Sequence, residues 1–221
     1  AMPALGLGTW RLPPEGTAAT VRIALELGYR HLDAAAIYGN EPQIGEALRG
    51  AFADGVVRRE ELWVTSKLWN DSHEPEAVRP ALERTLSDLG LERLELYLIH
   101  WPVAQRRGVA MASSPQEQLS LEQVPLAATW AAMEALVDLG LTRHIGVSNF
   151  SGAKLKALAA TARIRPEALQ IERHPLLQQN ALLTWCQENG VVVTGYGPLG
   201  SSGPNRPPEV LQHPEVVALA A

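Results

Sequence analysis

Short apolar runs alternate with longer amphipathic stretches along almost the whole chain. The run LELYLIH at 94–100 is nearly continuous, as in a buried strand, whereas Val78, Leu82, Leu86 and Leu89 recur at helical spacing. The apolar runs predict seven strands, at 4–8, 29–35, 62–68, 94–100, 143–149, 168–174 and 191–197. The amphipathic stretches between them predict helices at 15–28, 41–54, 75–90, 125–140, 151–162 and 178–190.

This strict alternation of strand and helix predicts parallel strands joined by crossover helices. An open doubly wound sheet and a closed barrel both use that order. The open sheet would carry a glycine fingerprint at its first strand-to-helix turn, but Gly6 and Gly8 are followed by no third glycine at the required spacing. A barrel spreads its chemistry over the ends of many strands, and the polar residues of this chain follow that distribution.

Two segments interrupt the alternation. The segment 103–124 is polar and long for a connection between strand and helix, so it predicts an irregular insertion over one face. The segment 197–208 is rich in Gly, Ser and Pro and predicts a loop. Neither has the composition of a linker between domains, so we expect a single domain over 1–221.

Composition narrows the class of protein. The net charge is -5 and no run of Lys and Arg occurs, which argues against nucleic-acid binding. A single cysteine, Cys186, excludes an internal disulfide and fits a reducing compartment. No apolar stretch approaches the roughly 20 residues that span a bilayer, and the first residues lack the features of a secretion signal. We therefore expect a cytoplasmic protein with no membrane or nucleic-acid partner. We also expect a monomer, although composition does not bear on the oligomeric state.

Titratable residues fall at the ends of three successive predicted strands. Asp33, Lys67 and His100 occupy these ends, and Tyr38 follows Asp33 in the adjacent loop. Singly, each has an ordinary interpretation as a turn residue, a solvated lysine or a packed histidine. In a parallel barrel, however, the C-terminal strand ends share one rim, so these four side chains are expected to meet.

Those four residue types suit proton transfer to a carbonyl oxygen. A phenol titrates near pH 10 and becomes a better acid beside an ammonium group, which a buried carboxylate keeps charged and oriented. A histidine can orient the carbonyl by a hydrogen bond. The chain shows no spacing of metal ligands and no strand-borne nucleophile with a neighbouring base, so we expect no metal and a hydride supplied by a cofactor.

Seven motifs carry a resemblance to a known family. They are GLGTW (6–10), YRHLDAAAIYGNEPQIGEAL (29–48), VTSKLWN (64–70), LYLIHWP (96–102), IGVSNF (145–150), LQIERHP (169–175) and YGPLGSS (196–202). Together they resemble the aldo-keto reductases, in particular the aldehyde reductase and aldose reductase branch. The resemblance covers essentially the whole chain and implies a (β/α)8 TIM barrel that reduces aldehydes or ketones to alcohols with NADPH.

The resemblance also implies a role for each site residue. Tyr38 matches the general acid, Lys67 and Asp33 the pair that tunes it, and His100 the residue that orients the carbonyl. The implied wall of the substrate pocket is Trp10, Trp69 and Trp101, with His100. The implied cofactor contacts are Thr9, Trp10, Asp33, Ser148, Asn149, Gln170, Tyr196, Gly197, Leu199 and Ser201.

The implied roles of the cofactor contacts differ. Ser148, Asn149 and Gln170 match side chains that bind the nicotinamide carboxamide, and Tyr196 matches the ring that stacks on the nicotinamide. Leu199 and Ser201 match the pyrophosphate loop, and Gly197 stands where the family often has serine, which removes one phosphate contact.

The chain also departs from the family pattern. A barrel of this type typically needs about 250 residues, and only seven strands are predicted here. We expect that the eighth strand and the loop that grips the 2′-phosphate of NADPH belong to a longer protein truncated at the C-terminus. The preference for NADP over NAD therefore stays open.

Two other functions remain as alternatives. A regulatory or structural protein could bind nicotinamide with little turnover, although such a protein needs no proton donor. Another barrel enzyme, such as an isomerase or aldolase, could use Lys67 to form a Schiff base, although an adjacent carboxylate would keep that amine charged. Trp63 and Trp130 are expected to be packing residues. His31 is expected to be structural, on the strand face opposite Asp33.

Overall fold

Seven parallel strands form one sheet in the part of the chain that the computed structural model describes, residues 1–200 and 209–220. Its strands are β1 (Leu7–Gly8), β2 (His31–Asp33), β3 (Trp63–Leu68), β4 (Leu94–Ile99), β7 (Thr142–Ser148), β8 (Ala168–Glu172) and β9 (Val192–Tyr196), and the two-residue strands β5 (Ala104–Gln105) and β6 (Gln118–Leu119) lie outside it. The sheet order is β1-β2-β3-β4-β7-β8-β9, so strands that follow one another along the chain are neighbours in the sheet. The predicted alternation of strand and crossover helix is confirmed.

The sheet curves until its two ends face each other. In a flat sheet β2 and β8 would lie about 19 Å apart, because four spacings of about 4.8 Å separate them. The side chain of Gln170 on β8 nevertheless donates a hydrogen bond to Asp33 on β2 across 2.9 Å. The architecture is therefore the predicted (β/α)8-type barrel, with seven strands in the described residues.

The helices form an outer layer around this sheet. Their apolar faces pack on the outer strand side chains in one core that includes Leu25, Ile44, Leu82 and Tyr97. The inner face carries Leu96, Leu98 and polar side chains. The helices that follow the first six strands in turn are α1 (Pro14–Glu26), α2 (Glu41–Ala53), α3 (Pro75–Leu89), α4 (Leu126–Asp138), α5 (Gly152–Thr161) and α6 (Asn180–Glu188).

The central strand β4 is buried on both faces. All of its residues from Leu94 to Ile99 are buried, Glu95 included, as expected for a parallel strand between a filled interior and a helix layer. The strand ends at Ile99, and His100 is the first residue beyond it. The apolar run therefore ends where the barrel opens, and it places His100 at the rim.

Two details differ from the sequence-based expectations. The segment 103–124 is not wholly irregular, because β5 (Ala104–Gln105) and β6 (Gln118–Leu119) pair as a short antiparallel hairpin. Strands of two residues are too short to leave a periodic pattern. The strands predicted at 4–8 and 29–35 are also shorter in the structure. At the C-terminal side α7 (Glu209–Gln212) precedes α8 (Pro214–Ala220).

Within the described residues, none of the helices combines the length and the apolarity that crossing a membrane requires.

A close backbone contact between α2 and α3 gives a stability test. A Cβ at Gly45 would overlap the carbonyl oxygen of Asp88, so Gly45→Ala must push the two helices apart. We expect a loss of about 1–3 kcal/mol in the free energy of unfolding, measured by urea denaturation.

Gly50 of the same helix is the matched control. Its nearest neighbour would be an Arg22 guanidinium nitrogen at 3.8 Å, so Gly50→Ala meets no clash. It should gain about 0.5–1 kcal/mol from the higher helix propensity of alanine. Equal effects of the two substitutions would contradict the close packing of α2 against α3.

Candidate active site

A fully buried lysine stands at the centre of the barrel rim. Lys67 is on β3 with its side chain 0% exposed. Its Nζ donates to Asp33 Oδ2 at 2.9 Å, to the Ala34 carbonyl oxygen at 2.9 Å and to the Tyr38 hydroxyl oxygen at 3.2 Å. An ammonium group has three N–H bonds, so these three acceptors use all of them.

The net effect of these contacts is to keep Lys67 charged. Burial by itself lowers the pKa of the Lys67 ammonium, but Asp33 and Tyr38 act more strongly together and leave that pKa above its ordinary value. The predicted pairing of Lys67 with Asp33 is present. The contact with the Ala34 carbonyl was not predicted, because backbone acceptors leave no signal in a side-chain pattern.

Local backbone geometry brings Tyr38 to this ammonium. The residues Ala36–Tyr38 form one turn of 3₁₀ helix, and Gly39 follows with φ of 70°, in the left-handed region that glycine enters without strain. This turn reverses the chain before α2 begins. The Tyr38 oxygen accepts a hydrogen bond from Lys67, so the Tyr38 proton stays available to another acceptor.

The expected pKa of Tyr38 needs a correction. The sequence predicts that the neighbouring ammonium makes this phenol more acidic than an ordinary tyrosine. In the structure burial raises the pKa of Tyr38 more than Lys67 lowers it, and Asp33 raises it further, so the net direction is upward. The sequence indicates which charged groups are neighbours, but it does not show how far burial removes their hydration. For the pKa of Tyr38, the loss of hydration has a larger effect than the charge of Lys67. Tyr38 is therefore protonated at neutral pH.

His100 completes the cluster as a neutral group. Its ring lies edge-on to Tyr38, with centroids 5.7 Å apart, and edge-on to Trp69 at 5.0 Å. Burial, with a smaller contribution from Lys67, lowers the pKa of His100 to about 3. Its Nδ1 is buried without a hydrogen-bond partner among the described residues. A neutral imidazole retains one N–H and can donate it to a carbonyl oxygen.

The ends of β7, β8 and β9 carry a second cluster of polar side chains, next to the cluster formed by Asp33, Tyr38, Lys67 and His100. Asn149 has φ of 61°, and this left-handed conformation turns its amide inward. That amide donates to the His100 carbonyl oxygen at 2.9 Å and to Ser148 Oγ at 3.0 Å, and its oxygen accepts from the Tyr196 hydroxyl at 2.8 Å. Gln170 donates to the other oxygen of Asp33. The predicted cofactor residues of this group thus contact the predicted catalytic residues.

Two buried residues hold the rim at β1. Thr9 is 0% exposed, and both its amide and its hydroxyl donate to the Asp33 carbonyl oxygen at 3.0 Å. Asn40, 1% exposed, donates to the Thr9 carbonyl oxygen at 2.8 Å. Thr9 therefore holds the backbone of Asp33 with its side chain, and its expected contact with the cofactor stays a prediction. Asn40 was missed as a site residue, although the Gly39-Asn40 turn was visible in the sequence.

The three predicted pocket tryptophans stand in different surroundings. Trp69 is half-buried against His100, and its indole N–H donates to the Ala110 carbonyl oxygen at 2.7 Å, which ties it to the hairpin segment. Trp101 stacks on His100 with centroids 6.5 Å apart and is 41% exposed. Trp10 is 56% exposed beneath the Arg11 guanidinium, 4.2 Å from the ring centroid. A substrate wall made from these three rings stays a prediction.

Within the described residues, the positions after β9 that are predicted to contact the pyrophosphate make fewer contacts than the other predicted site residues. Gly197 and Leu199 lie in the turn after β9, where the Gly200 amide donates to the Gly197 carbonyl oxygen and Leu199 is 58% exposed. Ser201 lies outside the described residues. Their assignment to a pyrophosphate loop stays a prediction.

The expectation for His31 was wrong about its strand face. Residues two apart on a strand share a face, so His31 points inward with Asp33, and its ring nitrogen lies 3.0 Å from Thr65 Oγ1. It is buried on the floor side of the barrel, which agrees with a structural role. Trp130 is buried as expected and donates to the Ile164 carbonyl oxygen.

The donor set fits a nicotinamide better than a metal ion. Within residues 1–200 and 209–220 there is no cluster of three His, Cys, Asp or Glu side chains that could hold a metal. Amides and hydroxyls instead gather beside the Tyr38–Lys67 pair, and such groups match the donor and acceptor of a carboxamide.

Comparison with known proteins identifies similar sequences over the whole chain. The sequence profile of the aldo/keto reductase family matches residues 4–205. An aldo/keto reductase of Synechocystis is 51% identical over 100% of this chain and 69% of its own length. The human aldo-keto reductase family 1 member A1 is 49% identical over 99% of this chain and 69% of its own length.

Solved structures agree with these sequence matches. The aldose reductase from Giardia lamblia superimposes with a TM-score of 0.93 at 43% identity, covering 99% of this chain and 73% of the other. The aldose reductase from Schistosoma japonicum superimposes with a TM-score of 0.90 at 44% identity, covering 100% of this chain and 71% of the other.

The low pKa of His100 gives a pH test. In the unfolded chain this imidazole has a pKa near 6.5, whereas in the folded protein it stays neutral until about pH 3. The unfolded state therefore binds the extra proton between these values, so stability falls as pH drops through that window. We expect the His100 Cε1 resonance, assigned with His100→Gln, to show no titration between pH 8 and 5.

The same variant tests the effect on stability. Between pH 7 and pH 5 the wild type should lose more unfolding free energy than His100→Gln, measured by urea denaturation. His73, whose pKa burial lowers to about 4, contributes equally to both proteins and cancels in the comparison. A His100 resonance that titrates near pH 6.5 would contradict the burial of this ring.

Proposed function

The chain belongs to the aldo/keto reductase family, which implies oxidoreduction of carbonyl groups, and from this premise we propose that it reduces aldehydes or ketones to alcohols with NADPH. The observation that carries the proposal is the hydrogen bond from the buried Lys67 ammonium to the Tyr38 hydroxyl oxygen. A protein that only bound nicotinamide would have no use for a protonated phenol held in this way.

Tyr38 is proposed as the proton donor. Its oxygen accepts from Lys67, which leaves its own proton for the carbonyl oxygen of the substrate. As that proton leaves, negative charge develops on the phenol oxygen 3.2 Å from a positive charge that is already oriented. Preorganised charge of this kind stabilises a transition state without further rearrangement. Asp33 contributes by holding Lys67 charged and fixed in place.

His100 is proposed to orient the carbonyl. It is neutral, it packs against the Tyr38 ring, and its backbone is fixed by the Leu68 carbonyl on one side and the Asn149 amide on the other. An imidazole N–H placed beside the phenol can share the carbonyl oxygen with it. Trp69 and Trp101 flank this position, which supports a pocket for apolar or aryl carbonyl compounds.

The cofactor contacts are proposed from the side chains at the ends of β7, β8 and β9. When bound, a nicotinamide cofactor supplies the hydride that the chain itself lacks. Ser148, Asn149 and Gln170 would hold the carboxamide, and the Tyr196 ring would lie against the nicotinamide. NADPH is proposed from the resemblance, and no described residue favours NADP over NAD.

The Schiff-base alternative fits the geometry less well. A lysine attacks a carbonyl only as the free amine, and the pKa of Lys67 is raised by its two charged or polar partners. All three of its N–H bonds are also engaged with protein oxygens. Lys67 is thus arranged to stabilise charge on Tyr38.

The proposal extends to a cytoplasmic monomer in which residues 1–221 belong to a single barrel domain. The buried free thiol of Cys186 and the negative net charge support the compartment and argue against a nucleic-acid partner.

Tyr38→Phe tests the proton donor. Without the hydroxyl we expect aldehyde-dependent NADPH oxidation to fall by about 10²–10⁴-fold, the range typical of general acid catalysis. NADPH binding, followed by cofactor fluorescence, should be unchanged because the ring and its packing remain. The matched control is Tyr29→Phe, which removes a hydroxyl at the opposite end of the barrel. Full turnover by Tyr38→Phe would refute the assignment.

A further inference from the structure

A buried carboxylate lies directly behind the catalytic lysine and has no role in the reaction described above. Glu41 begins α2 and is only 3% exposed. One of its oxygens accepts from Ser66 Oγ at 2.6 Å and the other accepts from Thr85 Oγ1 at 3.0 Å. Among the described residues no ion pair to Glu41 occurs. Burial raises the pKa of this carboxyl more than the two hydroxyls lower it.

Burying a carboxyl group in this way is costly for stability. A buried carboxylate loses its hydration, and two neutral hydroxyl donors replace only part of it. An apolar residue at the start of α2 would avoid that cost. The presence of Glu41 at this position is therefore better explained by the elements that its hydrogen bonds join than by a contribution to stability.

The connection runs from the proton donor to the strand of the lysine. Tyr38 is separated from Glu41 only by Gly39 and Asn40, and Gly39 is in the left-handed turn conformation. Ser66 and Lys67 are consecutive on β3, so their side chains point to opposite faces. Lys67 holds Ala34 and Tyr38 on the inner face, while Ser66 holds Glu41 on the outer face.

We propose that Glu41 is a positioning residue for the proton donor, which fixes the turn carrying Tyr38 against β3 through the hydrogen bond to Ser66. The proposal rests on the proposed function, in which Tyr38 donates the proton. Two adjacent residues of one strand then clamp the segment 34–41 from both faces of the sheet. The bond from Glu41 to Thr85 anchors α3 and is not part of this clamp.

Four substitutions distinguish three possible effects of Glu41: positioning of Tyr38, its negative charge and a contribution to stability. Glu41→Ala and Ser66→Ala each break the link to β3. Glu41→Gln removes the charge but keeps the length and two atoms that can hydrogen-bond to Ser66 and Thr85. Thr85→Ala is the matched control, because it removes one hydroxyl from the same carboxyl group but leaves the link to β3 intact.

The first measurement is kinetic. Misplacing a reacting group costs rate, so Glu41→Ala and Ser66→Ala should lower the single-turnover rate of aldehyde reduction by about 10-fold or more, with NADPH affinity unchanged. Their solvent deuterium isotope effect should rise because proton transfer becomes slower. Glu41→Gln and Thr85→Ala should stay within about 3-fold of wild type, because both keep an oxygen that accepts the hydrogen bond from Ser66.

The second measurement needs no activity. The chain contains four tyrosines, so the ¹³Cζ spectrum of tyrosine-labelled protein is simple, and Tyr38→Phe assigns the Tyr38 signal. We expect this signal to move in Glu41→Ala and Ser66→Ala but to keep its position in Glu41→Gln and Thr85→Ala. A folded Ser66→Ala variant with an unmoved Tyr38 signal and wild-type rate would overturn the proposal.

The two hypotheses fail separately in these experiments. If the wild type reduced no aldehyde, the proposed function would fail, while the ¹³C measurement would still decide whether Glu41 positions Tyr38. A purely structural role for Glu41 would lower the midpoint of unfolding in Thr85→Ala as much as in Ser66→Ala and would leave the isotope effect of both unchanged. That result would also overturn the proposal.

Discussion

The arrangement of the site depends on one fully buried ammonium group. Lys67 has no access to water, and its three N–H bonds point to a carboxylate, a backbone carbonyl and a phenol. A buried charge is tolerated only when its partners replace its hydration, so the positions of Asp33 and Tyr38 are constrained by the same group that they stabilise. The contacts that form the proposed catalytic cluster are therefore the same contacts that fix the local fold.

The barrel meets this constraint through strand direction and alternation. Parallel strands bring their C-terminal ends to one rim, which gathers residues from β2, β3 and β8 although Asp33 and Gln170 lie far apart in sequence. Successive side chains of β3 point to opposite faces of the sheet, so Lys67 and Ser66 contact different parts of the protein. Lys67 holds Tyr38, the proposed proton donor, inside the barrel, and Ser66 next to it reaches the helix layer outside.

Much of the fold and of the candidate site could be predicted from the sequence, because both follow from the spacing of apolar residues and from the position of polar residues at strand ends. The apolar runs located the seven strands, and the polar residue at each strand end indicated Asp33, Lys67 and His100. The unpredicted features depend on geometry that leaves no pattern. These are the left-handed backbone of Asn149, the two-residue strands of the hairpin, and the role of Thr9 as a support for Asp33. The net pKa of Tyr38 also depends on lost hydration, which a list of neighbours does not provide.

The most direct test of this account is the protonation state of Lys67 in the folded protein. A ¹⁵N spectrum of the lysine side chains at pH 8, with Lys67→Met to assign the signal, reports both charge and proton exchange. The account predicts an ammonium signal whose protons exchange slowly because all three are buried in hydrogen bonds. A neutral amine, or an ammonium that exchanges as fast as an exposed lysine, would contradict it.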